Sequence, residues 1–527
     1  MSLNRKKNKP DFINVYERIL TDLAHTLKSA LPSLTLILIS LLIAQAAVTK
    51  DKFILLPVLA IIGGSAGIFL LRNRQIFYWI IVISSPMNDH LAIPLGGANL
   101  RPYNLLGMLG VAWFLLALMR DEEKDMMKRL KFYWIPLSIL ALFAVSKVLT
   151  VYSMNNLPPG MTKIFSFKFV IFAIFLYVTL AVTLGFIKNL DQALVTMKYW
   201  IHLSNGIILL AFIQILLSNV APSTFHYVHH RDVIAIGRPY SCFREPDVLA
   251  SFVGSTFMTC LCLLTMKRTL LPRLYLTATL AAHAFFLLIL MVRAAWLAAG
   301  AACFLFFIAL LRMGYFKHIK LYINIAALTG LLGVTSLFAL APKTATKFFG
   351  RFTSIVNTKS ESSASYRTME LNHQKSHVTQ HDSITGYALG HGDFSWSYYA
   401  PIICGNDYDQ DAAKNAKNGQ VLIHSGFYMM VTIAHDNGFL GLTIFLLFLL
   451  YLFINYWKTT NDLKDNDHKL LVHASFISIV EMLFCFQITY DPITPFLYVM
   501  MGLHLAICYH LRKVEAGEQE TNYELKY

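Results

Sequence analysis

The chain has 527 residues, 56% of them hydrophobic and 14% charged, with 45 Lys and Arg against 30 Asp and Glu for a formal net charge of +15. So apolar a composition excludes a soluble globular enzyme and indicates an all-α polytopic membrane protein. The positive balance needs no nucleic-acid partner, because basic residues gather in the cytoplasmic loops of such proteins.

Residues 1–30 are polar and basic (Arg5, Lys6, Lys7, Lys9) and read as a cytoplasmic N-terminal segment without a cleavable signal. Apolar segments then recur near 31–49, 53–71, 76–95, 103–119, 131–150, 164–187, 198–218, 247–266, 274–292, 294–311, 320–341, 424–457, 469–487 and 490–510. They predict about 14 transmembrane helices in the lipid bilayer: eleven within 31–341, three within 424–510, and a cytoplasmic tail at 511–527. Basic clusters at Arg72 and Arg74, 120–131, 267–273, 312–320, 458–469 and Arg512 with Lys513 all fall on the cytoplasmic side of this count. The segment 76–95 is interrupted by Pro86, Asn88, Asp89 and His90 and reads as a short or re-entrant helix. Five of the seven cysteines (Cys260, Cys262, Cys303, Cys485, Cys508) lie in apolar helices as small core residues. Cys242 and Cys404 fall in predicted outer loops and could pair in an oxidising compartment.

Three places carry dense polar chemistry. The first is the outer loop before the helix at 247, which reads Gly237-Arg238-Pro239-Tyr240-Ser241-Cys242-Phe243-Arg244-Glu245-Pro246-Asp247. Pro246 is placed to open the helix, and Asp247 suits the positive end of its dipole. The second is Arg293, in the middle of the apolar run 274–311 with no polar loop on either side. That run is twice the length of one crossing, so it predicts two helices in a tight hairpin with the guanidinium at the turn. A charge there either snorkels to headgroups or serves a ligand. Arg238, Arg244 and Arg293 at one surface would hold a lipid diphosphate without a metal, since the planar guanidinium donates bidentately.

The third place follows a large outer loop, 342–423. Its first half is rich in Ser, Thr, His and Gln; its second half carries Gly386, Gly390, Gly392 and the aromatic residues Trp396, Tyr398 and Tyr399. A loop of this length forms a cap with one or two helices and usually serves a function. At its end stand His424-Ser425 and, further on, His435-Asp436-Asn437-Gly438 and Gly441. A neutral imidazole at the membrane surface could take a proton from a hydroxyl, or cap and anchor the helix. On an unbroken helix His435 lies about three turns beyond His424, and Gly438 and Gly441 allow close packing or a break.

In this order the three blocks resemble the bacterial O-antigen polymerase and O-antigen ligase family. Its members share an Arg-x-x-small-x-Phe-x-Glu-Pro-x-x-Leu-Ala loop, matched by residues 238–250, and a helix opening with Arg and then Trp-Leu, matched by Arg293, Trp296 and Leu297. They also share a His-Asn/Ser helix start that runs to Gly-x-x-Gly, matched by His424-Ser425, Gly438 and Gly441. Ser365-Tyr366-Arg367 and Gly390-His391-Gly392 are further echoes. The spacing from His424 to Gly438 is longer than the family's, which leaves His435 as the other candidate for the family histidine.

The resemblance implies a GT-C-like, metal-independent glycosyltransferase of the bacterial inner membrane, with no cofactor and both termini cytoplasmic. The donor would be a glycan on undecaprenyl diphosphate, with a second glycan as acceptor and a flippase and a chain-length regulator as candidate partners. Arg238 and Arg293 would bind the diphosphate and His424 would deprotonate the acceptor. Glu245 would fix the arginines or act as base, with Tyr240, Arg244, Arg367 and His435 as substrate-binding residues. The acid before Pro246 favours a polymerase of O-antigen, capsule or exopolysaccharide over a ligase. The other class open to the sequence is a transporter, for which Lys147, Lys168, His202, His283 and Glu481 lie in or near spans. Glu481 is expected to pair with His473 or Lys168.

Overall fold

A backbone in hydrocarbon has no water to bond, so a long apolar run must close its hydrogen bonds within itself as a helix. The computed structural model describes residues 74–86, 93–95, 98–100, 107, 109–111, 124–153, 163–220, 241, 243, 246–315, 350, 362–379, 384–392, 396–403, 428–489 and 494–518. In chain order these form α1 (Arg74–Ser84), a two-stranded hairpin β1 (Ile93–Leu95) and β2 (Ala98–Leu100), α2 (Lys124–Phe132), α3 (Trp134–Ser153), α4 (Lys163–Phe186) and α5 (Leu190–Val220). There follow α6 (Pro246–Thr265), α7 (Arg273–Leu290), α8 (Arg293–Arg312), α9 (Ser362–Val378), α10 (Ile384–Leu389) and α11 (Trp396–Ile403). The chain closes with α12 (Met429–Asp462), α13 (Asn466–Thr489) and α14 (Pro495–Glu515).

Among the described residues seven helices are long and apolar enough to cross a membrane: α3, α5, α6, α7, α8, α12 and α13. α6 and α13 form the centre, 83% and 72% buried over their apolar windows, against 33% for α7 and 39% for α8 and α12. The outer helices turn apolar side chains outward. On α12, Leu446, Leu447, Leu450, Phe453, Ile454 and Trp457 are all exposed and fall on one helical face. An uncovered apolar stripe of that size suits contact with lipid rather than water.

Close approach of the central helices rests on small residues, as hydrocarbon offers no hydrophobic drive between them. Ala294, Ala295, Ala298 and Ala302 line the buried side of α8, which packs on α13 and α6. Across α6 and α13, Thr259 Oγ1 meets Ser478 Oγ at 2.7 Å, and Ser478 lies 2.8 Å from Ser255 O. Gly254 leaves the space that the Glu481 carboxyl occupies. Between α5 and α7, Ser204 Oγ donates to His283 Nε2 at 2.7 Å and His202 Nδ1 meets Tyr275 OH at 2.7 Å.

The helices largely follow the apolar pattern, with four corrections. α5 starts at Leu190, ahead of the predicted 198, because Asp191, Gln192 and Lys198 dilute its first turns without breaking them. The predicted segment 76–95 ends as a helix at Ser84, and β1 pairs with β2 in register Leu95 with Ala98. Among the described residues the large loop carries three helices, α9 to α11, in place of one or two. Lastly, Glu481 is not paired with His473, which instead bonds Tyr456 OH at 2.9 Å. Glu481 is fully buried, and among the described residues neither carboxyl oxygen has a hydrogen-bond partner. The Lys168 side chain, Cys242 and Cys404 lie outside the described residues, as do the predicted segments 31–49, 53–71 and 320–341.

Candidate functional site

The predicted hairpin around Arg293 is present. α7 ends at Leu290, Met291 takes a left-handed conformation (φ 51°, ψ 33°) and α8 begins at Arg293. A left-handed non-glycine residue costs about 1 kcal/mol; the turn holds because Met291 N–H donates to Leu288 O (3.2 Å) and Trp296 Nε1–H reaches back to Leu287 O (2.7 Å). Arg293 is half-buried at this turn.

At the other end of α8 the Arg312 guanidinium lies 4.3 Å over the Trp457 ring of α12. Arg293 stands as many residues before Arg312 as Gly438 stands before Trp457. At about 1.5 Å per residue both lie roughly 28 Å from that contact, one hydrocarbon thickness away. The turn at Arg293 and the backbone at Gly438 therefore share one level at the same end of the bundle.

α12 is broken at Gly438, whose φ of 65° and ψ of −176° no helix contains. A break orphans the carbonyls of the preceding turn. Residues 390–392 supply the donors: His391 N–H donates to His435 O and Gly392 N–H to Asp436 O, each at 2.8 Å. Gly390 and Gly392 have positive φ (73° and 96°). A Cβ on Gly390 would strike the backbone of Gly438, and one on Gly438 would strike Ala388. From α3, Lys147 Nζ donates to Asn437 Oδ1 at 3.0 Å, 5.1 Å over the Phe143 ring, and Thr150 Oγ1 donates to Leu389 O at 2.6 Å.

Side chains then converge on His435, which is fully buried. Its Nδ1 lies 2.9 Å from Asp436 Oδ1 and its Nε2 2.9 Å from His377 Nδ1 on α9. The His391 ring stacks on His377 (centroids 4.2 Å apart) and on His435 (4.7 Å). Trp396 meets His435 edge-on and donates Nε1–H to Glu370 Oε1 at 2.5 Å. Tyr399 closes the far side, 4.5 Å from the His377 ring, and burial raises its phenol pKa. His377, His391 and His435 offer nitrogen atoms that all lie within 4.8 Å of one another, a set that could hold a metal ion.

Of the residues singled out in the sequence, Arg293 and His435 stand at this end. His435 sits in the second turn of a helix that starts at Met429, not three turns along an unbroken one, and its engaged, buried ring has no open face for a hydroxyl. Arg367 lies on α9 ten residues before His377, about 15 Å along the axis. Trp396, one of the aromatic residues of the large loop, is fully buried core of the cap; the Tyr398 side chain lies outside the described residues. Arg238, Tyr240, Arg244, Glu245 and His424 also lie outside them. Sequence reasoning missed His377, Lys147 and Asn437 as partners at the break; Gly390-His391-Gly392 was the one local signal.

The fold and site together define a multi-pass α-helical membrane protein with a polar, glycine-shaped break at one end of its bundle. No protein-family model matches the sequence, and no curated protein matches it.

Proposed function

We propose that the chain is a membrane-embedded glycosyltransferase that polymerises glycan repeat units carried on undecaprenyl diphosphate, at the outer face of the bacterial inner membrane. The observation that carries this reading is Arg293, first residue of α8, at a two-residue turn one hydrocarbon thickness from the opposite end of the bundle. A guanidinium at that depth meets a lipid-linked diphosphate where headgroups lie and donates to it bidentately. Arg238 adds a second guanidinium. The acceptor hydroxyl gives its proton to His424 and attacks the anomeric carbon; the bond from that carbon to the diphosphate oxygen breaks, and undecaprenyl diphosphate departs with its charge offset by the arginines. Glu245 fixes Arg238 or Arg244, and the cap of α9 to α11 flanks the sugars.

The test is a gel of surface and lipid-linked glycan from a host lacking the gene. Polymerase predicts loss of long chains with a single repeat unit left on carrier or core. Long chains stranded on undecaprenyl diphosphate would make it a ligase instead.

One observation favours a second reading, transport. Glu481 is a buried carboxyl without a hydrogen bond among the described residues, some 12 Å below the start of α6 judged by its contact at Gly254, and intramembrane acids often carry protons or cations. An unchanged glycan pattern in the deletion host would favour that reading.

A further inference from the structure

We infer that His377, His391 and His435 form a binding site for a divalent cation of the borderline-soft class, with Zn2+ as its simplest occupant. Three imidazoles with no directly ligating carboxylate suit Zn2+, Cu2+ or Ni2+ and disfavour Ca2+ and Mg2+, which demand oxygen.

The donor distances are near what such an ion needs, while the His391 ring, stacked on His377 and His435, must turn to aim a lone pair at it. Zinc–nitrogen bonds of about 2.0–2.1 Å at tetrahedral angles set ligand nitrogens roughly 3.3 Å apart. His435 Nε2 and His377 Nδ1 already stand 2.9 Å apart, and all three donors lie within 4.8 Å. The widest pair must therefore close by at most about 1.5 Å, a shift open to the half-buried His391 ring.

Protonation supports the same assignment. Asp436 Oδ1, 2.9 Å from His435 Nδ1, holds the proton on that nitrogen and leaves Nε2 as a lone pair facing the cluster. A carboxylate behind a ligating histidine is the usual outer-shell arrangement of metal sites. His391 Nε2 lies 3.4 Å from His377 O, which leaves Nδ1 as the nitrogen not engaged in that bond. The backbone is set in advance by the bonds from residues 391 and 392 to α12 and by two positive-φ glycines. Each ligand comes from a different segment: α9, the 390–392 loop and α12. The ion clips the cap to the membrane helix and keeps a fourth position open for water or a ligand.

This inference does not rest on the glycosyltransferase reading, and its test reads metal rather than glycan. The full chain, purified in detergent without a histidine tag and stripped with a chelator, is titrated with ZnCl2 against a chromophoric competitor. The expected result is one equivalent bound per chain. His391→Ala should weaken binding at least tenfold, Asp436→Asn about tenfold to a hundredfold, and His377→Ala with His391→Ala should abolish it. His373→Ala, one turn away on α9 and outside the cluster, should bind as the parent does. Zn2+ should raise the melting temperature of the parent but not of the double variant. A folded, monodisperse parent that takes up no stoichiometric Zn2+, Cu2+ or Ni2+ overturns the site, even if the variants fail to fold. So does a double variant that retains the full equivalent; the histidines would then be a hydrogen-bonded array only.

Discussion

The two ends of the helix bundle are built on opposite rules. At the basic end polar groups serve helix ends and turns. Asp467 accepts the N–H groups of Lys267 and Arg268 at 2.9 and 3.1 Å, Arg273 donates to Met266 O and Lys267 O at 3.0 Å, and Glu515 takes Lys464 N–H at 3.0 Å. Arg512 bonds Cys508 O and Asn455, while Arg312 lies on Trp457. Helices there close regularly, α8 and α14 through left-handed Gly314 and Gly517 as ordinary helix C-termini do. At the other end α12 breaks at Gly438, Met291 and the glycines at 390 and 392 take left-handed conformations, and buried imidazoles bond one another. Local irregularity costs free energy of order 1–3 kcal/mol per residue and persists where the surroundings enforce it, most often at functional sites. One end thus closes its helices through ordinary caps, and the other carries the broken helix and the buried imidazoles.

That contrast can be broken by substitution. The largest effect is expected from Gly438→Ala, which adds left-handed strain and a clash with Ala388. It should cost at least about 2 kcal/mol, read as a lowered melting temperature in detergent, and should undock the 390–392 loop, read as faster amide exchange at His391. A parent-like melt and exchange would show that the break is incidental. At the basic end Asp467→Ala removes two hydrogen bonds to a charged acceptor and should cost about 1–3 kcal/mol without touching glycan output. Arg312→Ala should cost only about 0.5–1 kcal/mol, the scale of an exposed cation–π contact.

The smallest effect, and of opposite sign, is expected inside the bundle. Lys147 and Glu481 are both buried, but among the described residues Lys147 has Asn437 and the Phe143 ring while Glu481 has no hydrogen bond. Neutralising a buried acid that no described group bonds is neutral or stabilising. Glu481→Gln should hold or raise the melting temperature and leave surface glycan unchanged; loss of all function with an intact fold would move the account toward transport.

Much of the helical frame was legible because hydropathy and length are local properties. The hairpin at Arg293, the helix opening at Pro246 and the bounds of α4, α6, α7 and α8 follow from uninterrupted apolar runs with charges at their edges. The β1–β2 hairpin was missed although Gly96-Gly97 is a known two-residue hairpin signal; the apolar residues around it look like a continuing span. The histidine cluster was legible only in part: His435 and the Gly390-His391-Gly392 run stood out in the sequence, their meeting with His377 did not. His377, His391 and His435 follow no metal-ligand spacing, and their meeting depends on a loop backbone docking onto orphaned carbonyls, an event with no sequence period.

In the proposed function the end bearing Arg293 binds a lipid diphosphate. The most direct test is a glycan gel from a deletion host carrying Arg293→Ala, with Lys347→Ala as the comparison and membrane protein level measured by immunoblot. No polymer is expected from Arg293→Ala at parental protein level, and normal polymer from Lys347→Ala. Polymer of normal amount and length from Arg293→Ala would contradict diphosphate binding there.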